Sequence, residues 1–439
     1  MSRRWSAQLR WNMVSGVVGM AGNAGIALLG HGVYIRWLGL DVYGIWLMLS
    51  TLIAFAQLGD LGVSKALMKL VAEEVGRDEA GKATDHSSNS FAILGGVGAL
   101  VVGLAFAAAG PILGFLKLAP GAQDVAEALL PWMAVASVHT LILQALSGVL
   151  AGAGRMDAAS YISLLTRVVS VAVGAALVLA GQGIWGLLWG LMAANVVSHV
   201  AYVLVLRRVL SARLMDVRRL SLAGMKEVLH LGSGIVGGSV VHMLLAPFNK
   251  LVLTRMIGVA AVPIYELSFA VATVVRAVID SALRALLPEF SRLSSTAQKG
   301  LEACFELLHS VRRLVVGVGA IVFVVAAAAA PTAMQLWLGP RYVPLMGTTV
   351  RLLLLGSYFS LLAVPPYYAL LGLGKVRQVF MSHVVQGAVN VTVVCTAIFW
   401  SRDRAFDGVV LGTILGMAAC SVYVWSHVTL MQREVNVSA

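Results

Sequence analysis

The chain has 439 residues, of which 59% are hydrophobic and 12% charged, and its mean hydropathy is +0.88. A water-soluble protein of this length could not bury so much apolar surface, so soluble enzymes and soluble binding domains are excluded. The net charge of +12 comes from cations that flank apolar segments rather than from a basic domain. This pattern excludes nucleic acid as a partner and favours contact with anionic membrane lipids.

Apolar segments follow one another along the whole chain. Each is long enough to cross about 30 Å of hydrocarbon as a helix, and backbone groups in lipid must be paired within the segment. We therefore predict an all-α polytopic membrane protein with about twelve transmembrane helices, at residues 12–35, 43–66, 90–113, 126–151, 160–181, 184–206, 229–254, 262–288, 311–331, 345–372, 379–400 and 407–430.

The first apolar segment is too long for a cleavable signal peptide and lacks a small-residue cleavage site, so we expect it to remain as an anchor. The cysteines are odd in number and lie in or near predicted spans. We expect them to be small hydrophobic residues rather than a disulfide framework; they are Cys304, Cys395 and Cys420.

Basic residues are concentrated in loops on one side of the predicted membrane. They precede the first span, follow the second, and join spans six to seven and eight to nine, whereas the alternate loops hold far fewer cations. The positive-inside rule assigns that side to the cytoplasm and places both termini there.

Two short motifs recur at nearly one displacement. Arg36–Gly39 is matched by Arg255–Gly258, 219 residues later, and Gly152–Arg155 is matched by Gly372–Lys375, 220 residues later. We expect Arg36 and Arg255 to mark the membrane edge, and the last glycine of each Arg-x-x-Gly motif to supply turn geometry.

Each half carries six predicted spans, so both halves enter the membrane from the same side. The repeat is therefore parallel, with its pseudo-two-fold axis along the membrane normal, as in some secondary transporters. We predict a six-helix lobe at 1–210, a basic cytoplasmic linker at 211–228 and a second six-helix lobe at 229–439.

Motifs for bound cofactors do not occur in the sequence. No G-x-x-x-x-G-K-[ST] motif predicts an ATP site, no His or Cys spacing predicts a metal, and no Gly-x-Ser-x-Gly elbow predicts a nucleophile. We therefore predict no cofactor and no metal, and we do not expect an enzyme.

Ionisable residues inside predicted spans remain as functional candidates, because they are costly in hydrocarbon. Arg276 lies near the middle of span eight, far from either interface. Asp280, one turn further on, could pair with it at i, i+4. Two interpretations stay open: a ligand-binding arginine, or a neutralised structural pair.

Three further cations, Arg167, Lys250 and Arg351, lie nearer to span ends, where long side chains can reach an interface. With Arg276 they outnumber the in-span acids, which are Asp60, Glu266 and Asp280. We therefore predict a slightly cationic lumen, which would attract a phosphate or pyrophosphate group.

The in-span acids have two open interpretations. Asp60 could take up protons or sodium, or could pair with Lys65 or a neighbouring helix, and Glu266 is equally ambiguous. The in-span histidines are scattered, one per helix, and we expect them to pack or hydrogen-bond rather than relay protons; they are His31, His139, His199, His242 and His383.

The segments Leu38–Gly44 and Gln57–Val63 resemble the opening of polysaccharide-unit flippases of the multidrug/oligosaccharidyl-lipid/polysaccharide exporter superfamily, which has a MATE-like fold. The turns at Gly154-Arg155 and Gly374-Lys375 fit the same family. The resemblance implies two six-helix lobes around a V-shaped cavity, in the bacterial inner membrane. It also implies transport of a polyprenyl-pyrophosphate-linked sugar unit from the cytoplasmic to the outer leaflet, with polysaccharide polymerase and glycosyltransferases as partners.

The same resemblance implies that spans one, two, seven and eight line a cavity that is often cationic. Arg276 and Lys250 fit that pattern by position, and Asp60 fits it less closely, whereas spans one and two contain no central Arg or Lys. Lipid II flippases resemble this fold but carry two additional spans, which argues against that branch.

Two alternatives belong to other classes. A cation-coupled multidrug exporter of the MATE type predicts a lumen in which acids dominate, and the in-span balance leans the other way. A membrane enzyme such as a polymerase or acyltransferase typically needs a large external loop or a catalytic His/Asp cluster, and neither is visible in the sequence.

Overall fold

The computed structural model describes residues 7–60, 62–77, 80–209, 215–236, 240–283, 286, 290, 293 and 297–438. Within these ranges the chain is almost entirely helical and contains no strand. The helices are α1 (Ala7–Gln57), α2 (Val63–Gly76), α3 (Ala80–Gly114), α4 (Pro120–Gly152), α5 (Met156–Leu177), α6 (Trp185–Val209), α7 (Leu222–Val236), α8 (Val240–Met256), α9 (Ala261–Leu283), α10 (Ala297–Leu338), α11 (Pro344–Gly372), α12 (Val376–Trp400) and α13 (Ala405–Ser438).

The helices identify a multi-pass membrane protein. Ten stretches of the described chain are long and apolar enough to cross a membrane, and the first, Gly22–Val75, has 54 residues and overlaps both of the first two predicted spans. Predicted span 229–254 is not among the ten, because it falls on two shorter helices, α7 and α8. The prediction of an all-α polytopic membrane protein is confirmed.

The chain divides into two compact units, Met1–Gly237 and Gly238–Ala439. Helix α7 belongs to the first unit, where it packs against α2 and α3. The division therefore lies after the basic linker that the sequence predicts at 211–228.

The described part of the linker is held against α3 by hydrogen bonds. The backbone N–H of Asp216 donates to Ser88 Oγ at 2.9 Å, and the backbone N–H of Ser221 donates to Asn89 Oδ1 at 2.9 Å. Arg219 also reaches Asp85 at 2.8 Å. Because these bonds precede α7, they fix where that helix begins on the surface of the first unit.

Gly39 and Gly258 both adopt positive φ, at 80° and 125°. Gly39 interrupts α1 with a non-helical backbone in the middle of an otherwise continuous helix. Residues with a Cβ rarely adopt such angles. The prediction that the two Arg-x-x-Gly motifs end in turn glycines is confirmed.

The second repeated motif closes two helices in one geometry. Gly154 and Gly374 have φ of 80° and 71°. In both turns the residue after the glycine, Arg155 or Lys375, donates its backbone N–H to a carbonyl five residues earlier, at 3.1 and 2.8 Å. This is the Schellman arrangement that satisfies free carbonyls at a helix end, so the sequence repeat corresponds to a repeated local structure.

The two halves differ immediately after this turn. Arg155 makes a two-pronged ion pair with Asp157, with Nε–Oδ1 at 3.0 Å and Nη2–Oδ2 at 3.2 Å. This hydrogen bond raises the pKa of Arg155. A carboxylate in the first turn of α5 is also favoured by the helix dipole. At the matching place after Lys375 the chain has Arg377, so this ion pair is confined to the first half.

Glycine allows close packing of helices in the second unit. Gly408, Gly412 and Gly416 repeat every fourth residue on α13 and face α12. A Cβ at Gly412 would lie 2.9 Å from the carbonyl oxygen of Asn390, and one at Gly416 would lie 2.7 Å from that of Gln386. Small residues at this spacing let membrane helices approach closely.

We predict that Gly416→Ala destabilises the protein, because the added methyl meets a backbone oxygen rather than a movable side chain. Overpacking of this kind costs about 1–3 kcal/mol. The matched control is Gly317→Ala on α10, where a Cβ meets no described atom within 4 Å. Thermal unfolding of the purified protein in detergent should show a lower midpoint for Gly416→Ala only; equal midpoints would contradict the packing argument.

Candidate functional site

Two candidate residues of the second unit, Lys250 and Glu266, form an ion pair with each other. Lys250 Nζ on α8 lies 3.0 Å from Glu266 Oε1 on α9, and the two side chains are only 14% and 23% exposed. Each charge therefore compensates the other within the membrane-spanning region. The structure therefore brings these two candidates together in one ion pair.

The ion pair adjoins a buried polar cluster. Asn249, which precedes Lys250, donates through Nδ2 to the Tyr265 hydroxyl at 3.3 Å and to Thr413 Oγ1 at 3.2 Å. The hydroxyls of Tyr265 and Thr413 lie 3.0 Å apart. The Asn249 Oδ1 is buried and has no hydrogen-bond donor within the described chain. This cluster joins α8, α9 and α13.

Arg276 and Asp280 lie one turn apart on α9, but they have different surroundings. The Tyr368 hydroxyl of α11 donates to Asp280 Oδ1 at 3.3 Å. Within the described residues Arg276 is half-buried and makes neither an ion pair nor a hydrogen bond. Of the two interpretations left open by the sequence, the structure does not favour the neutralised pair.

Arg351 has a different partner. Its Nε donates to the Ala327 carbonyl at 3.2 Å, which links α11 to α10, and the side chain is exposed. This guanidinium therefore satisfies a backbone oxygen in the second unit.

Asp60 of the first unit holds the start of a helix. Its Oδ1 accepts hydrogen bonds from the Ser64 backbone N–H at 3.1 Å and from the Ser64 hydroxyl at 2.6 Å. A carboxylate at this place satisfies a free N–H at the start of α2 and is favoured by the helix dipole. Lys65, the other partner considered from the sequence, is exposed.

Arg167, the remaining cation, lies on α5 at a cavity of about 320 Å³ inside the first unit. In the part of the chain that is described, Arg167 is exposed and makes no ion pair or hydrogen bond. Most of the other lining side chains are hydroxyls and carboxamides, contributed by α1, α4, α5 and α6: Asn23, Thr140, Gln144, Ser147, Ser163, Thr166, Ser170, Asn195 and Tyr202.

This cavity was not predicted from the sequence, although the sequence contains a signal for it. Polar residues recur every three or four positions on two otherwise apolar helices, which places them on one face of each helix. On α4 they are Thr140, Gln144 and Ser147, and on α5 they are Ser163, Thr166, Arg167 and Ser170.

Two histidines of the first unit meet across helices. His139 Nε2 on α4 lies 3.3 Å from His199 Nδ1 on α6, and His31 is hydrogen-bonded to the Tyr43 hydroxyl. The expectation that these histidines hydrogen-bond is confirmed. His383 packs edge-on against Tyr367, and the side chain of His242 lies outside the described residues.

No group of three or more His, Cys, Asp or Glu side chains in the described chain is arranged to hold a metal ion. The candidate residues of the two units differ in whether their charges have partners. In-span acids have partners in the structure, whereas two in-span arginines, Arg167 and Arg276, have neither an ion pair nor a hydrogen bond among the described residues.

Solved structures of similar fold include multidrug transporters. An inward-facing multidrug resistance MATE family transporter of the MOP superfamily aligns over 95% of this chain and 99% of its own, with a TM-score of 0.68 and 13% identity. A single-site mutant of the Vibrio cholerae MATE transporter VcmN aligns over 97% and 95%, with a TM-score of 0.64 and 14% identity. The likeness to these structures shows that the chain has a MATE-like fold.

The sequence itself matches the family described as polysaccharide biosynthesis protein over residues 10–294. The chain belongs to this family. A search of curated proteins gave no match.

We predict that Glu266→Gln lowers the stability of the protein, because it leaves the Lys250 ammonium mostly buried without a counter-charge. Removing one partner of a buried pair costs about 3–5 kcal/mol, whereas replacing both is often nearly neutral. The double variant Lys250→Met with Glu266→Gln should therefore unfold at a higher temperature than Glu266→Gln alone. Additive losses in the double variant would show that the two side chains are not coupled.

Proposed function

We propose that this protein is a flippase that moves polyprenyl-pyrophosphate-linked oligosaccharide units from the cytoplasmic to the outer leaflet of the bacterial inner membrane. The units would serve surface or secreted polysaccharide. Membership of the polysaccharide biosynthesis family and the MATE-like fold support transport of this class. In the proposal both termini lie in the cytoplasm, as the distribution of basic loops indicates.

The observation that carries the substrate class is the imbalance of uncompensated charge. Asp60 and Glu266 accept hydrogen bonds or an ion pair, and Asp280 accepts a hydrogen bond. Within the described helices, Arg167 and Arg276 have no such partners. A transporter for cationic drugs would need the opposite balance, whereas a pyrophosphate headgroup supplies the charge that free guanidinium groups lack.

In this proposal Arg276 binds phosphate of the lipid headgroup. A guanidinium presents several N–H donors in a planar fork that matches phosphate oxygens. Lys250 contributes less than the sequence alone suggests, because Glu266 neutralises it. The oligosaccharide and headgroup would cross by alternating access, while the prenyl chain stays in lipid.

The sequence carries no nucleotide-binding motif, so the proposed drive is an ion gradient, the membrane potential or removal of the product on the far side. Asp60, Glu266 and Asp280 are the acids that could couple an ion. A coupling role would require each of them to leave the partner that it has in the structure.

We predict that Arg276→Gln blocks transport, because the variant loses the charge that binds phosphate, and that Arg276→Lys retains part of it. The measurement is surface polysaccharide in cells that depend on this chain, with lipid-linked oligosaccharide measured on the cytoplasmic side. Arg341→Gln, an exposed residue of the same unit, is the matched control. Normal polysaccharide in Arg276→Gln cells that hold normal amounts of the protein would refute the assignment.

The multidrug alternative makes a different prediction for cells that lack this protein. Loss of a flippase should remove surface polysaccharide and leave the efflux of cationic dyes unchanged. Loss of dye efflux with normal polysaccharide would instead support a MATE-type exporter.

A further inference from the structure

The cavity of the first unit has a buried polar floor and a polar rim. Asn195 and Tyr202 of α6 form the floor, and they are 1% and 4% exposed. Gln144, Ser163 and Arg167 are exposed and lie at the rim. Burying polar groups within a membrane protein costs free energy unless each group has a hydrogen-bond partner from the protein, water or a ligand.

The floor is rigidly held. Asn195 Nδ2 donates to the Ala136 carbonyl at 2.8 Å and to Thr140 Oγ1 at 3.2 Å. Thr166 is hydrogen-bonded to Ser198, joining α5 to α6. The lining side chains are therefore positioned by the helices themselves, which is how a preorganised binding site is built.

The lining chemistry matches a sugar. Hydroxyl and carboxamide groups both donate and accept hydrogen bonds, and sugar hydroxyls require both. Leu143 and Leu191 are the apolar residues among the described lining.

The charge at the rim selects for an acidic group. Among the described residues that line the cavity, Arg167 is the only charged side chain. A guanidinium without a counter-charge favours a carboxylate or phosphate, to which it can make two parallel hydrogen bonds, and repels a cation.

We infer that this cavity binds one sugar ring that carries an acidic group, a hexuronate or a sugar phosphate, with Arg167 on the acid and the carboxamides and hydroxyls on the ring. A volume of about 320 Å³ suits one ring and its acidic substituent, but not a whole oligosaccharide. That this sugar belongs to the transported unit rests on the proposed function; the binding itself does not.

The test uses the purified full-length protein in detergent and saturation-transfer NMR, which detects weak binding of small sugars. The probes are glucuronate, glucose 1-phosphate, glucose and inorganic phosphate. We expect glucuronate or glucose 1-phosphate to bind at least about tenfold more tightly than glucose, since the Arg167 guanidinium can make charge-assisted hydrogen bonds to an acidic group that uncharged glucose lacks. The acidic sugar that binds more tightly shows whether the cavity prefers the carboxylate of a hexuronate or the phosphate of a sugar phosphate.

Variants separate the two parts of the site. Arg167→Gln should abolish the preference for the acidic sugar over glucose, Arg167→Lys should restore part of it, and Gln144→Ala should weaken glucose and acidic sugars alike. Arg341→Gln, an exposed cation of the other unit, should bind as the unaltered protein does. The altered side chains are exposed, and an unchanged thermal midpoint verifies that each variant is folded.

The inference is overturned if neither acidic sugar binds, if Arg167→Gln binds them as tightly as the unaltered protein, or if inorganic phosphate binds as tightly as glucose 1-phosphate. The Arg276→Gln variant tests the proposed function separately from sugar binding at this cavity. Loss of transport in that variant with normal sugar binding supports both proposals, whereas normal transport with normal sugar binding removes only the flippase assignment of Arg276.

Discussion

A charge in the middle of a membrane-spanning helix needs compensation, and insertion scales place the cost of an uncompensated one at about 2.5–3.5 kcal/mol. In the second unit the charges of Lys250 and Glu266 compensate each other in an ion pair. The other in-span acids accept hydrogen bonds from nearby hydroxyl or backbone groups. Arg167 and Arg276 lack ion pairs and hydrogen bonds in the described structure, and in the two proposals above an external anion compensates them.

Hydropathy was sufficient to predict most of the helices, because each membrane crossing requires a long apolar segment whatever its neighbours are. It did not predict that residues 229–254 fall on two shorter helices, α7 and α8. The turn glycines were also predictable, since positive φ at Gly39 and Gly258 strongly limits the residue type. These features are local, and a single sequence contains all the information that they need.

Partners across helices were not predictable in the same way. Lys250 and Glu266 lie on separate helices, and their meeting depends on how α8 and α9 are rotated about their axes. Arg276 and Asp280 are neighbours on one helix, yet Asp280 is hydrogen-bonded to Tyr368 of α11. Apolar content sets the length of a membrane helix but says little about its rotation, which packing determines. The polar faces of α4 and α5 did carry such rotational information.

The position of α7 has a consequence for comparing the two halves of the chain. The internal repeat suggests two equal pieces of sequence, but α7 packs with the first unit, so the compact units meet in sequence at 237/238. Chimeras that exchange halves with a relative should therefore be joined there. A graft made within the basic loop would separate α7 from the α2 and α3 surfaces against which it packs, and would confuse a folding defect with altered substrate choice.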